Sequence, residues 1–260
     1  MGYEHHGIYV SNRAQLTEEE YQLVRDGRFR KAIVRLDTSV DVAARLEDMG
    51  LEIFIQATDM FNRSTSDPAL YARTIWDRLQ VFQPFARWIT LDNEPNLFPE
   101  KAGQWWAEQY TRWFRAVMAA FRYYDGYTCH WKLIHPAFCQ QPGRYSKQWI
   151  KTCRENILES EAMSAHCYWT EGVGIKSPLG GYSYEAYRKL YPNHPLYITE
   201  YNPNVIWFSD EQRAAQAVEY LDSVQRVAEG AFWFILGGTQ TWKRFWLSSR
   251  VSHLLGQATK

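Results

Sequence analysis

The 260-residue sequence is poor in the features that mark several protein classes. It holds four cysteines, Cys129, Cys139, Cys153 and Cys167, spaced 10, 14 and 14 residues apart. That spacing offers no close pair to start a zinc site and no dense disulfide framework, so the four read as buried thiols. No run of about 18 apolar residues occurs, which excludes a membrane-spanning helix. The 29 basic and 29 acidic side chains cancel. Basic clusters such as Arg28, Arg30 and Lys31 are short, so the charge pattern points away from nucleic acid as a partner. Residues 1–11 carry His5 and His6 but no basic segment followed by an apolar one, so no signal peptide is expected there. Ser/Gly linkers and low-complexity tracts are also missing, and a single domain over residues 1–260 is the expectation.

Aromatic side chains are abundant instead: 12 Trp, 17 Tyr and 13 Phe make 16% of the chain. Flat rings with a polar edge suit both large cores and the faces of sugars.

Eight short runs rich in β-branched and aromatic residues recur along the chain: 7–10, 31–36, 51–56, 88–91, 130–134, 162–166, 196–199 and 231–236. Helical patterns separate them. Thr17 with Glu20 forms a capping box ahead of Tyr21, Leu23 and Val24; Asp67 before Pro68 reads as an N-cap and first helical position. Residues 104–124 read as a long helix, and Ser209 ahead of Asp210 and Glu211 opens another, its acids placed at the positive end of the dipole. Eight strand-then-helix units in about 250 residues predict an α/β fold, a single (β/α)8 TIM barrel. In that fold the loops after the strands build the site, and the longest irregular stretch, 169–184, follows strand six as a candidate wall or lid.

Two carboxylates stand out in this frame. Leu91-Asp92-Asn93-Glu94-Pro95-Asn96 ends strand four with Glu94, and Tyr197-Ile198-Thr199-Glu200-Tyr201-Asn202 ends strand seven with Glu200 at a matching height. Cleavage of a glycosidic bond needs such a pair: one carboxyl protonates the leaving oxygen, and the other acts at the anomeric carbon as a nucleophile or as a base for water. Arg35, a charge within the apolar run Ile33-Val34-Arg35-Leu36, is costly to bury unless paired, and Glu200 is its expected partner. His166 and Tyr168 are two residues apart on strand six and so share a face. On strand eight Trp233 is a candidate platform beneath a sugar, with Trp242 in the following loop as the competing candidate. Asp37, Gln56, Asp59, His135, Trp169, Asn202 and Trp207 are rim candidates for sugar hydroxyls.

With these motifs the sequence resembles the clan A glycoside hydrolases along its whole length. Within the clan, Asn93-Glu94-Pro95-Asn96, His166-Cys167-Tyr168 and Thr199-Glu200-Tyr201-Asn202 are most similar to glycoside hydrolase family 39, whose members act on β-xylosides and related sugars. The resemblance implies Glu94 as acid/base, Glu200 as nucleophile and net retention of anomeric configuration. It further implies that Asn93 hydrogen-bonds the sugar 2-hydroxyl, Tyr168 hydrogen-bonds the nucleophile, and His166 contacts sugar or supports Glu94. A carbohydrate substrate and no metal or organic cofactor are expected.

Two rivals remain at this level. A metal-dependent barrel hydrolase would gather His5, His6, Asp92, His135 and His166, but no H-x-H or H-E-x-x-H motif occurs, and adjacent His5 and His6 point to opposite sides of an extended strand. A non-catalytic carbohydrate-binding barrel is the other alternative, and turnover of aryl glycosides separates it from a hydrolase.

Overall fold

The computed structural model describes residues 4–10, 15–57, 67–97, 103–126, 130–140, 146–205, 207–237, 243 and 245–258. Asp59, Cys129 and Trp242, singled out from the sequence, lie outside these. Eight strands form a closed barrel in chain order: β1 (His6–Tyr9), β2 (Lys31–Arg35), β3 (Glu52–Gln56), β4 (Ala86–Thr90), β5 (Lys132–His135), β6 (Ala162–Trp169), β7 (Leu196–Pro203) and β8 (Gly230–Phe234). Every neighbouring pair is parallel, including β1 with β8. The chain is therefore a (β/α)8 barrel, and each run predicted as a strand overlaps one.

The main crossover helices are α1 (Glu18–Asp26), α2 (Val40–Asp48), α3 (Pro68–Leu79), α4 (Gln104–Asp125), α8 (Asp210–Val224) and α9 (Ser249–Ala258), with shorter α5 (Ser146–Thr152), α6 (Arg154–Glu159) and α7 (Glu185–Leu190). Local chemistry sets their starts. Thr17 and Glu20 form the reciprocal capping box of α1, and Ser209 does the same for α8 with Gln212. Asp67 accepts from the Ala69 and Leu70 amides ahead of Pro68. Each such cap satisfies amides that the first helical turn leaves without partners. None of the described helices is long and apolar enough to cross a membrane.

Two apolar layers result from strand alternation. The outer layer lies between strands and helices and includes Ile8, Val34, Ala165, Cys167, Tyr201 and Trp233. The barrel interior is filled by Tyr9, Ile33, Phe54, Ile134, Tyr197, Phe232 and Phe234. Its floor is built of rings: Phe54 stacks on Trp88 at 6.0 Å and meets Tyr197 and Phe232 edge-on at 5.2 and 5.1 Å. Gly7 makes this possible, because a Cβ there would lie 2.3 Å from the Phe232 ring. Below the rings Glu52 joins Lys31 at 2.5 Å and accepts from Trp88 Nε1 at 3.1 Å. Much of the aromatic content is thus structural. Cys139, Cys153 and Cys167 are buried, the last two as free thiols.

Candidate active site

The ladder between β6 and β7 decides where Glu200 points. Tyr197 faces inward onto Trp88, with ring centroids 5.3 Å apart. Unbroken alternation from Tyr197 would send Thr199 inward and Glu200 outward. The register slips here: Ala165 pairs with Ile198, but His166 pairs with Glu200. Thr199 is the extra residue of a β-bulge, and a one-residue slip exchanges the two faces. Glu200 thereby enters the barrel beside His166, while Tyr201 turns out to stack on Trp169 at 6.3 Å. The ladder with β8 carries the same slip, between Ile198 and Tyr201.

Glu94 reaches the same place by a different device. It stands just beyond β4 with φ +41°, a left-handed conformation that costs a non-glycine residue about 1–2 kcal/mol. Its amide donates to Ala137 O at 3.1 Å, and its carbonyl accepts from the Leu97 amide at 2.9 Å. Asn96 holds the same turn by exchanging hydrogen bonds with the Cys139 backbone at 2.7 and 3.0 Å. Strain kept in place by surrounding hydrogen bonds is common at functional sites.

His166 lies between the carboxylates. Its Nδ1 is 2.7 Å from Glu94 Oε1 and 3.4 Å from Glu200 Oε2. The two carboxylate oxygens can be no further apart than the sum of these distances, about 6 Å. The Tyr168 hydroxyl donates to Glu200 Oε2 at 2.5 Å. Burial pushes the Glu200 carboxyl up to about 7, with the Glu94 charge adding to the shift and with His166 and the Tyr168 hydrogen bond opposing it. For the His166 imidazole burial acts downward, but the charges of Glu200 and Glu94 and the hydrogen bond to Glu94 outweigh it, and the net shift is upward. Burial and the Glu200 charge raise the Tyr168 phenol well above its usual value, so it stays a donor.

A raised carboxyl is also a statement about stability. Glu200 keeps its proton more readily in the folded chain than in the unfolded one. Its favourable contribution is complete below its unfolded value near 4.5 and is lost as pH rises through about 7. Glu200→Gln, which has no charge to bury, should gain up to about 3 kcal/mol on wild type between pH 4 and pH 8. Urea titrations at the two pH values measure this, and an equal difference at both would show that ionisation of Glu200 carries no folding cost.

Of the residues singled out from the sequence, Glu94, Glu200, His166 and Tyr168 converge, and Asn93 is tied to the same end of the barrel through Gln56, whose Nε2 donates to Asn93 Oδ1 at 3.0 Å. Others are placed differently. Arg35 does not pair with Glu200; it grips Asp37 two residues on, at 3.0 and 3.1 Å, a contact reachable without burying the guanidinium. Trp233 is fully buried in the outer layer, edge-on to Tyr201 at 5.9 Å, with the Arg213 guanidinium 5.9 Å from its ring. Strand alternation turns its neighbours Phe232 and Phe234 inward instead. Trp169 also packs outward and donates to Gln216 at 2.6 Å. The Asn202 amide donates to the carbonyls of Phe234 and Phe245, so it clamps β7 to β8 and the chain beyond. Trp207 is exposed, and buried His135 bonds the Pro136 carbonyl at 2.9 Å.

Of the metal-rival histidines, His5 approaches Leu221 O at 3.3 Å and His6 the Tyr201 hydroxyl at 3.1 Å, both away from His166. Sequence reasoning passed over Tyr9 and Phe234. Tyr9 follows Gly7 at strand period, and the Phe234 ring meets Tyr9, Tyr168 and Phe245 at 5.2, 5.9 and 5.8 Å, forming an aromatic wall beside Tyr168.

A closed parallel eight-stranded barrel thus brings two glutamates together, one just beyond β4 and one on β7. The chain belongs to the glycosyl hydrolase catalytic core family, whose model matches residues 87–255, a span that holds both glutamates. It is a glycoside hydrolase. No curated protein sequence matches it. Among solved structures it is similar to a family 128 endo-β-1,3-glucanase from Amycolatopsis mediterranei bound to laminaritriose, at 14% identity and TM-score 0.61, covering 99% of this chain and 100% of that one. A family 39 glycoside hydrolase from Bacteroides cellulosilyticus WH2 gives TM-score 0.70 at 14% identity over 98% of this chain and 63% of that one. A family 5 xyloglucanase from Paenibacillus pabuli gives 0.59 at 12% identity over 99% of each chain.

Proposed function

We propose that residues 1–260 act as one catalytic domain that hydrolyses β-linked glycans with retention of anomeric configuration, with Glu200 as nucleophile and Glu94 as acid/base. The carrying observation is the shared imidazole nitrogen, which keeps Glu94 Oε1 and Glu200 Oε2 within about 6 Å of each other. Retaining enzymes hold their carboxyls about 5–5.5 Å apart, whereas inverting enzymes need about 6.5–9.5 Å to seat a water.

In the first step a Glu200 oxygen bonds to the anomeric carbon as the glycosidic bond breaks, and Glu94 gives its proton to the departing oxygen. His166 and Tyr168 hold one oxygen of each carboxylate; Glu94 Oε2 has no partner among the described residues and is the oxygen left for the proton transfer. In the second step Glu94 takes a proton from water, whose oxygen bonds to the anomeric carbon, and the Glu200 carboxylate is released. Once glycosylated, Glu200 no longer repels charge on Glu94, which favours its role as base. The β-glycan preference draws on the barrels the chain is similar to, which include a β-1,3-glucanase and a xyloglucanase.

The test is incubation with laminarin, xyloglucan, xylan and β-1,4-galactan while the anomeric protons of new reducing ends are followed by NMR. The β-anomer should form first and then mutarotate. An initial α-anomer would refute retention, and binding without turnover across all four glycans would leave the chain a binding barrel.

A further inference from the structure

One hydrogen-bonded chain inside the barrel has no part in the two-carboxylate mechanism. The hydroxyl of Tyr9, at the end of β1, donates to Gln56 Oε1, at the end of β3. Gln56 Nε2 then donates to Asn93 Oδ1 at 3.0 Å, immediately before Glu94. Tyr9 and Gln56 are both buried, and Asn93 is partly exposed. Three side chains from three strand ends are thus linked in a row that stops beside one of the two carboxylates.

The direction of the chain follows from donor counting. Tyr9 has one proton, and Gln56 is its hydrogen-bond partner. Were the Gln56 amide reversed, its NH2 would face the phenol oxygen and the buried phenol proton would have no acceptor, a loss of about 1–3 kcal/mol. Burial and the charge of Glu200 also push the Tyr9 phenol well above its usual value, so the proton stays on it. With the phenol donating, Gln56 Oε1 accepts, Gln56 Nε2 donates, and Asn93 Oδ1 is the acceptor. The Asn93 amide is left with its NH2 for whatever lies beside Glu94.

We propose that Tyr9 and Gln56 are positioning residues that fix the polarity of the Asn93 amide, so that it presents a donor, never an acceptor, to the 2-hydroxyl oxygen of the sugar held at Glu94 and Glu200. This rests on the hydrolase reading above and adds to it the source of Asn93's orientation. Hydrogen bonds to the 2-hydroxyl strengthen in the oxocarbenium-like transition state, so an amide locked in advance acts on kcat as well as on KM. A freely rotating amide would spend part of its time with the carbonyl oxygen facing the sugar.

Two measurements test it. The first compares kcat/KM for 2,4-dinitrophenyl β-D-glucoside, galactoside and xyloside with that for each 2-deoxy counterpart. Wild type should favour the 2-hydroxy substrate about a hundredfold or more, and Gln56→Leu should reduce that ratio by about tenfold, mainly through kcat. Tyr9→Phe should move the ratio in the same direction by less. Gln56→Glu, whose ionised carboxylate only accepts, should turn the Asn93 amide round and reduce the ratio further than Gln56→Leu. If Gln56→Leu slows both substrates by the same factor, the chain is structural and the proposal fails; an unchanged ratio overturns it equally. The second is a neutron structure of the wild type. Deuterons on the Gln56 nitrogen facing Asn93 support the assigned polarity, and deuterons on the Asn93 nitrogen facing Gln56 overturn it. Absence of turnover on every glycoside would defeat the hydrolase reading, while the neutron map would still decide the polarity.

Discussion

Glu200→Ala is expected to lower kcat/KM by about 10⁵-fold or more, since loss of a nucleophile removes the covalent route and leaves only binding and electrostatic contributions. Azide should restore turnover of an activated aryl β-glycoside. The shortened side chain opens the face of the sugar that Glu200 occupied, azide forms its bond to the anomeric carbon there, and the phenolate leaves from the opposite side. The product should be the α-glycosyl azide, identified by NMR. A β-azide, or activity within tenfold of wild type without azide, would remove Glu200 from the nucleophile role. Misfolding is not the expected cause of the loss. Wild type buries a carboxyl whose proton is held up to about 7, so the variant sheds an ionisable group that opposes folding at neutral pH. Unchanged circular dichroism and an unfolding midpoint at or above that of wild type would separate lost chemistry from lost structure.

How much of this arrangement the sequence discloses depends on the kind of signal. The barrel is legible because its eight apolar runs and the caps at Thr17, Asp67 and Ser209 are local features, and each acts within a few residues. Glu94 and Glu200 are legible as carboxylates near the carboxyl ends of strands four and seven, although β7 runs on past Glu200 to Pro203. That Glu200 faces inward is not, because strict alternation from inward-facing Tyr197 gives the opposite answer and the extra residue Thr199 becomes visible only when β7 is laid beside β6 and β8.

Two of the aromatic candidates, Trp233 and Trp169, lie outside the barrel interior for the reverse reason. Ring chemistry makes Trp233 a candidate, although period-two reading of β8 from Phe232 turns Trp233 outward and Phe234 inward. A usable cue lay in Gly7, whose missing side chain leaves room for the Phe232 ring and so fixes which face of β8 is inside. Trp169, at the end of regularly alternating β6, shares the outward parity of Cys167 and not that of His166 and Tyr168. Charge alone matches Arg35 to Glu200, whereas Asp37 lies only two residues on and forms a two-pronged pair at lower desolvation cost. Long-range pairing is what single-sequence patterns omit, and the Tyr9–Gln56–Asn93 chain, drawn from three strand ends, is of that kind.

Glu94→Gln should reveal a different failure from Glu200→Ala. The amide keeps the size of the side chain and can still meet His166, but it supplies no proton to a leaving oxygen and accepts none from water. Hydrolysis of a glycan, whose leaving alkoxide needs protonation, should fall by about 10²–10⁴-fold. Glycosylation by a 2,4-dinitrophenyl glycoside should be much less affected, because that phenolate departs without help. The second step then limits the rate for this substrate: a burst of phenolate equal to the enzyme concentration should precede slow turnover, and KM should fall as the glycosyl-enzyme accumulates. Azide should speed this variant as well, since an anionic nucleophile needs no base, and it would attack from the face Glu94 served. The product should therefore be the β-azide, opposite in configuration to that from Glu200→Ala. Opposite azides from the two variants would assign a separate face of the sugar to each carboxylate. Equal rate losses for good and poor leaving groups, with no burst, would show instead that residue 94 serves the site by holding His166 in place and not by moving a proton.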